Sequence, residues 1–164
     1  MTIRHPAGLA AVGPALSRHA LMAGLAVLVS TLAFATAAPA GEGGVITADA
    51  AAERAAAGEI LVIDVRSPRE WRQTGVAKGA RQVTIHDPGG LAGFLAAVKA
   101  ELGGDLERPI AVICAYGNRS TLAQRVLTQA GFTRVLNIKE GMLGGPNGPG
   151  WLPRGLPVES CSAC

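Results

Sequence analysis

Two runs of four apolar residues with no polar break, Ile60-Leu61-Val62-Ile63 and Ile110-Ala111-Val112-Ile113, set the pattern of this chain. Unalternated runs of that length read as strands covered on both faces, the arrangement of a parallel sheet flanked by helices. Before the first run, Val45 and Ile46 form a short apolar start. Thr47 to Ala57 is then rich in Ala, with Thr47 or Asp49 available as N-cap and Gly58 to end it, and predicts a first helix. After the run comes Asp64-Val65-Arg66, and then Ser67-Pro68-Arg69-Glu70. A capping Ser, a Pro at the first helical position and a Glu three residues after the Ser make a capping box, predicting a short helix to about Gln73. Gly75 to Ala80 reads as a loop and Gln82 to Ile85 as a third strand. Past the turn Asp87-Pro88-Gly89-Gly90, the residues Leu91, Phe94, Leu95, Val98 and Leu102 recur at helical spacing until Gly103 and Gly104. Beyond the second run a helical pattern begins at Thr121, with Leu122, Val126 and Leu127 as its inner face and Gly131 at its end; Val135 to Ile138 is a last strand. Gly141 to Pro157 is rich in Gly and Pro, with Trp151 and Leu152 as anchors. Strands alternating with helices predict an α/β fold around a mainly parallel sheet of five strands.

Cys114 stands directly after the second run and opens Cys114-Ala115-Tyr116-Gly117-Asn118-Arg119-Ser120. Ligands of open α/β sheets bind at the carboxyl ends of the strands, so fold and thiol point to one place. A thiolate attacks sulfur or carbon, and it is favoured at a helix N-terminus or beside a cation. The helix expected from about Ser120 would turn its N–H groups toward the loop, and Arg119 would add a fixed positive charge. Gly117 allows a tight backbone curl that could hold an anion bonded to Cys114. Packing alone would make Cys114 a small buried hydrophobe, but Gly117, Arg119 and Ser120 are flexible or polar where a core would want neither. No serine, histidine or acid completes a triad, and His86 reads as a strand-end residue. A mechanism without a histidine base needs a nucleophile that is already ionised, which a persulfide-forming thiolate provides.

The first forty residues differ in kind. Arg4 and Arg18 are their only strong charges, every Asp and Glu lies at Glu42 or later, and Ala20 to Ala35 is an uncharged, mostly apolar stretch followed by Thr36-Ala37-Ala38-Pro39-Ala40. A basic start, an apolar centre and an Ala-x-Ala end are the layout of a secretory signal peptide, with cleavage after Ala37 or Ala40. An uncleaved membrane anchor drawing on residues 20–40 is the alternative. The expected organisation is thus a leader over 1–40, a domain over 41–157 and a short tail over 158–164, in an exported, periplasmic protein. Losing the leader takes the balance from fifteen basic and twelve acidic side chains to thirteen and twelve. Nothing resembles a phosphate-binding stripe, so nucleic acid is excluded as a partner.

From about Val45 to Pro157 the chain resembles the rhodanese superfamily. The matching pieces are Ile63-Asp64-Val65-Arg66 followed by Glu70-Trp71, the Gly75 to Ala80 loop, the Cys-x-x-Gly-x-Arg-Ser loop of Cys114 to Ser120, Ala130-Gly131-Phe132, and Glu140-Gly141 with Trp151. The resemblance implies a three-layer α/β domain and a sulfurtransferase needing no cofactor and no metal. Cys114 would take sulfane sulfur from a small anionic donor such as thiosulfate, hold it as a persulfide, and pass it to cyanide, a thiol or a protein acceptor. Backbone N–H groups of Ala115, Tyr116, Gly117, Asn118, Arg119 and Ser120 would cradle the charged sulfur, Arg119 would help hold the donor, and Asp64 with Arg66 would form a structural ion pair. The six residues from Cys114 to Arg119 match the sulfur-transferring branch; phosphatase and arsenate-reductase relatives carry a loop longer by one. Where the family usually has Gly-His-Ile-Pro-Gly-Ala, this chain has Gly75-Val76-Ala77-Lys78-Gly79-Ala80, so no role of that histidine or proline carries over.

Two alternatives stay open from the sequence. One is a non-catalytic sulfur carrier or interaction module. The other places thiol–disulfide chemistry at Cys161 and Cys164, whose Cys-x-x-Cys spacing suits a redox pair but sits on the terminal tail, where a plain disulfide is the simpler reading.

Overall fold

The computed structural model describes residues 43–161 and 164. The expected leader lies outside them. Five parallel strands form the central sheet: β1 (Gly44–Val45), β2 (Leu61–Asp64), β4 (Arg81–Gln82), β5 (Ile110–Ile113) and β6 (Val135–Ile138), in the spatial order β1-β6-β5-β2-β4. Four helices cover it: α1 (Ala48–Ala56), α2 (Pro68–Thr74), α3 (Gly90–Glu101) and α4 (Asn118–Gln129). The fold is α/β, as the alternation of elements requires.

The sheet divides the core in two. Along β5 the side chains alternate, so Ile110, Val112 and Cys114 enter one apolar cluster with Phe94 and Val98 of α3 and Ala123 and Leu127 of α4. Ala111 and Ile113 enter the other, with Ala48 and Ala51 of α1, Met142 and Trp151. Each large aliphatic side chain taken fully from water here contributes roughly 1.5–3 kcal/mol. Leu91, part of the helical repeat, and Leu122, expected on an inner face, are exposed. Phe94, Val98, Ala123 and Leu127 carry the contacts instead.

Local signals decide most boundaries. Thr47 caps α1, its hydroxyl accepting from Ala50 N–H at 3.3 Å. Ser67 and Glu70 close the capping box on α2 with Pro68 at its start. The third strand is shorter than expected, only Arg81–Gln82, although Val83 and Ile85 still donate to Asp64 and Val65 carbonyls. The loop after α2 contains a strand the pattern did not show: β3 (Val76–Ala77) pairs antiparallel with β7 (Val158–Glu159), within the stretch expected as tail. Gly75, at φ 74°, permits this; a Cβ there would lie 2.6 Å from the Glu159 carbonyl oxygen.

Buried Glu140 ties the Gly- and Pro-rich stretch down. It accepts from Ala48 N–H at 3.4 Å, Gly150 N–H at 3.0 Å and Arg154 at 3.0 and 3.1 Å, while Arg154 also pairs with Asp49. Burial pushes the Glu140 carboxyl up, but Arg154 and the two amides outweigh it and hold the group below the usual range.

Registers place the strand ends together. Asp64 of β2 and Ile138 of β6 both lie beside Ile113 of β5. The residues that follow these three strands, Val65-Arg66, Cys114 and Lys139, therefore meet on one edge of the sheet.

Candidate active site

Cys114 is a free thiol, 1 % exposed, at the carboxyl end of the central strand. Its Sγ accepts a hydrogen bond from Gly117 N–H at 3.1 Å, and the thiol reaches Ser120 Oγ at 3.6 Å. The buried sulfur therefore faces polar groups as well as the apolar cluster below it.

Backbone contacts hold the loop in that shape. Gly117 caps α4 at φ 94°, and a Cβ there would lie 2.2 Å from the Lys139 carbonyl oxygen. Only glycine combines that left-handed φ with so close an approach. The Cys114 and Ala115 carbonyls accept from Met142 N–H at 2.8 Å and Leu143 N–H at 3.0 Å, which fixes them toward the chain after β6. Helix α4 begins at Asn118, earlier than the apolar periodicity indicated, because a glycine cap and two polar residues carry no apolar repeat. Its first N–H groups, on Asn118, Arg119 and Ser120, have no intrahelical acceptor, and no capping side chain takes them. Ser120 Oγ donates to the Gly117 carbonyl at 3.0 Å, and Thr121 N–H bonds the same oxygen. Ala115 is buried, whereas Tyr116 and Asn118 are exposed on the rim.

Arg119 is engaged by Glu70 rather than left free beside the sulfur. Its two terminal nitrogens form a fork with Glu70, at 2.7 Å to Oε2 and 2.6 Å to Oε1. The same carboxylate accepts Ser67 N–H at 3.0 Å and Ser67 Oγ–H at 2.7 Å, so one acid caps α2 and ties it to the start of α4. Hydrogen bonding to Arg119, aided by Ser67 and opposed by partial burial, lowers the Glu70 carboxyl from 4.5 to about 2. Arg119 is raised in turn, first by the hydrogen bonds to Glu70, with smaller contributions from Cys114 and Asp64. The sequence shows Glu70 as a capping residue but not as this partner, 49 positions away.

Asp64 and Arg66 form a fully buried pair. Arg66 Nε lies 2.9 Å from both carboxylate oxygens and one terminal nitrogen 2.6 Å from Oδ2. Two further donors reach Thr74 Oγ1 and the Gly75 carbonyl, both at 2.7 Å. The guanidinium thus clamps the end of β2 to the end of α2.

Most of this domain has known relatives. Residues 47–145 match the rhodanese-like domain family. The chain belongs to that family. Among curated relatives of this rhodanese-like domain, a sulfurtransferase of Allochromatium vinosum is 30% identical over 61% of this chain and 78% of that protein. The thiosulfate sulfurtransferase GlpE of Pseudomonas aeruginosa is 32% identical over 49% of this chain and 64% of its own length. Among solved structures, Rv0390 from M. tuberculosis is 32% identical with a TM-score of 0.55, covering 72% of this chain and 98% of that one. The polysulfide-sulfur transferase homodimer from Wolinella succinogenes is 27% identical at the same TM-score, covering 74% and 82%.

Elsewhere in the rhodanese-like domain, the Gly75 to Ala80 departure shapes the fold, its Val76 and Ala77 being buried within β3. Cys161 and Cys164 are joined to each other in a disulfide beyond β7, and the Cys164 carbonyl accepts from Arg72 on α2.

Proposed function

We propose that this chain is an exported sulfurtransferase that carries sulfane sulfur as a persulfide on Cys114. The observation that carries the reading is the Sγ of Cys114 under the Gly117 amide, at the start of a helix whose first N–H groups are uncommitted. Such amides stabilise negative charge on sulfur without a proton donor. The thiolate attacks the outer sulfur of an anionic donor of the thiosulfate kind. A new S–S bond forms to Cys114, the donor's S–S bond breaks, and sulfite leaves with the electron pair. Cyanide, a thiol or a protein thiol then attacks the outer sulfur and returns Cys114 as thiolate. Oxidation states balance between donor and acceptor, so no cofactor is required.

Support for the donor class comes from the thiosulfate sulfurtransferases among the relatives, and support for export from the leader-like first forty residues. In the test, purified protein is incubated with thiosulfate and cyanide, and thiocyanate is measured alongside the intact mass. Turnover, and a gain of one sulfur atom on Cys114, are expected in the wild type, and Cys114→Ser should lose both. Turnover surviving in Cys114→Ser refutes the reading. Sulfur loading with negligible turnover favours a carrier module instead.

A further inference from the structure

The Gly117 carbonyl is offered more donors than it can use. It accepts from Thr121 N–H at 3.0 Å, from Thr121 Oγ1–H at 2.7 Å and from Ser120 Oγ–H at 3.0 Å. A single bond from a helical hydroxyl back to the preceding turn is ordinary, but a carbonyl oxygen has only two lone pairs. One donor is therefore spare, and Ser120 makes the longer of the two hydroxyl bonds.

Asn137 shows which hydroxyl is committed. This residue of β6 is 1% exposed, and its Nδ2 donates to Thr121 Oγ1 at 3.0 Å. With Asn137 donating into it, the Thr121 oxygen sends its own hydrogen to the Gly117 carbonyl at 2.7 Å. Asn137 Oδ1 is left buried with no hydrogen-bond partner, a cost that an apolar residue in the same strand would not carry. Ser120 is placed differently. It is fully buried, and its Oγ stands 3.6 Å from Cys114 Sγ as well as 3.0 Å from the Gly117 oxygen, so its one hydrogen can point to either.

We propose that Thr121, oriented by Asn137, is a positioning residue for the sulfur site: it satisfies the Gly117 carbonyl and so releases the Ser120 hydroxyl to turn to Cys114 when the sulfur is negatively charged. While Cys114 is a thiol, its S–H points to Ser120 Oγ and the Ser120 hydrogen points to Gly117. Once the proton has left to solvent, the hydroxyl rotates with no movement of heavy atoms, and Gly117 keeps two donors, both from Thr121. The sulfur then has the hydroxyl in addition to the Gly117 N–H at 3.1 Å. This rests on the reading of Cys114 as an ionised sulfur carrier and adds the residue that prepares its surroundings.

The experiment reads the thiolate through alkylation of Cys114 by iodoacetamide, followed by intact mass, at a pH where the wild-type rate still rises with pH. Cys161 and Cys164 are held in their disulfide and do not compete. Thr121→Val keeps the shape and removes the hydroxyl. It should slow alkylation about tenfold, the order of one hydrogen bond to a charged group, and Thr121→Ser should restore the wild-type rate. Ser120→Ala should slow it as much, and T121V added to S120A should slow it no further, because the hydroxyl to be released is already gone. An unchanged rate in T121V, or a slowing by T121V that multiplies in full onto that of S120A, overturns the inference. Sulfur loading of the wild type from thiosulfate is weighed separately. Rates that follow the expected pattern in a protein that gains no sulfur would uphold the placement of Thr121 and strike the transfer reading alone.

Discussion

Two arginine–carboxylate pairs stand on the same edge of the sheet, and they differ in surroundings more than in chemistry. Asp64–Arg66 is closed within two residues of sequence and has side-chain exposures of 0% and 1%. Glu70–Arg119 spans two helices, and each partner keeps 27% of its side chain in water. A buried charge that loses its partner has no solvent to turn to, whereas a half-exposed one is rehydrated. The first pair therefore reads as framework. The second can lose a partner without endangering the fold.

The comparison breaks most readily at its buried half. Arg66→Ala leaves Asp64 ionised and unsolvated and opens the clamp between β2 and α2. The expected loss is about 3–5 kcal/mol of folding free energy in urea titration, enough to leave little folded protein. A loss below about 1 kcal/mol would mean that water reaches Asp64 and that the two pairs are alike.

Acid titration sharpens the difference. The folded-state carboxyl of Glu70 is depressed, from 4.5 to about 2. Its contribution to stability is therefore complete above pH 4.5 and is lost as pH falls toward 2. The wild-type urea midpoint should fall across that window by more than the midpoint of Glu70→Gln, which has no carboxyl there to protonate. Parallel curves would show that Glu70 is not held by Arg119 in solution.

The smallest effect on stability is expected from Arg119→Ala. Glu70 keeps its bonds to Ser67 and can be solvated, so the cost should lie within about 1 kcal/mol, read from the same urea curves.

How far the sequence reveals this molecule follows from the range of the forces involved. Strand β5 is found at its true limits because Ile110 to Ile113 is apolar on both faces, and β6 because Val135 to Ile138 is nearly so. Helix α2 is legible from Ser67, Pro68 and Glu70 because a capping box is closed within four residues. The start of α4 is hidden by Asn118 and Arg119, which show no periodicity, and by a glycine cap. Strands β3 and β7 are two residues each and meet across some eighty positions, so neither leaves a local signal. Cys114 and its loop stand out from residue types alone. The fork from Arg119 to Glu70 does not, although adjacency of β2 and β5 places a Glu in the first turn of α2 and an Arg in the first turn of α4 on the same edge.

The alternation of side chains along β5 also governs where the sulfur stands. Cys114 shares the parity of Ile110 and Val112, which look toward α3 and α4. Deleting one residue between Ile110 and Cys114 would present the thiol to the α1 side of the sheet instead, every letter of the loop unaltered and its amides left with nothing to hold. Chemistry at this edge thus depends on counting along the strand: an even step from Ile110 places the sulfur under the loop, and an odd one hides it behind the strand.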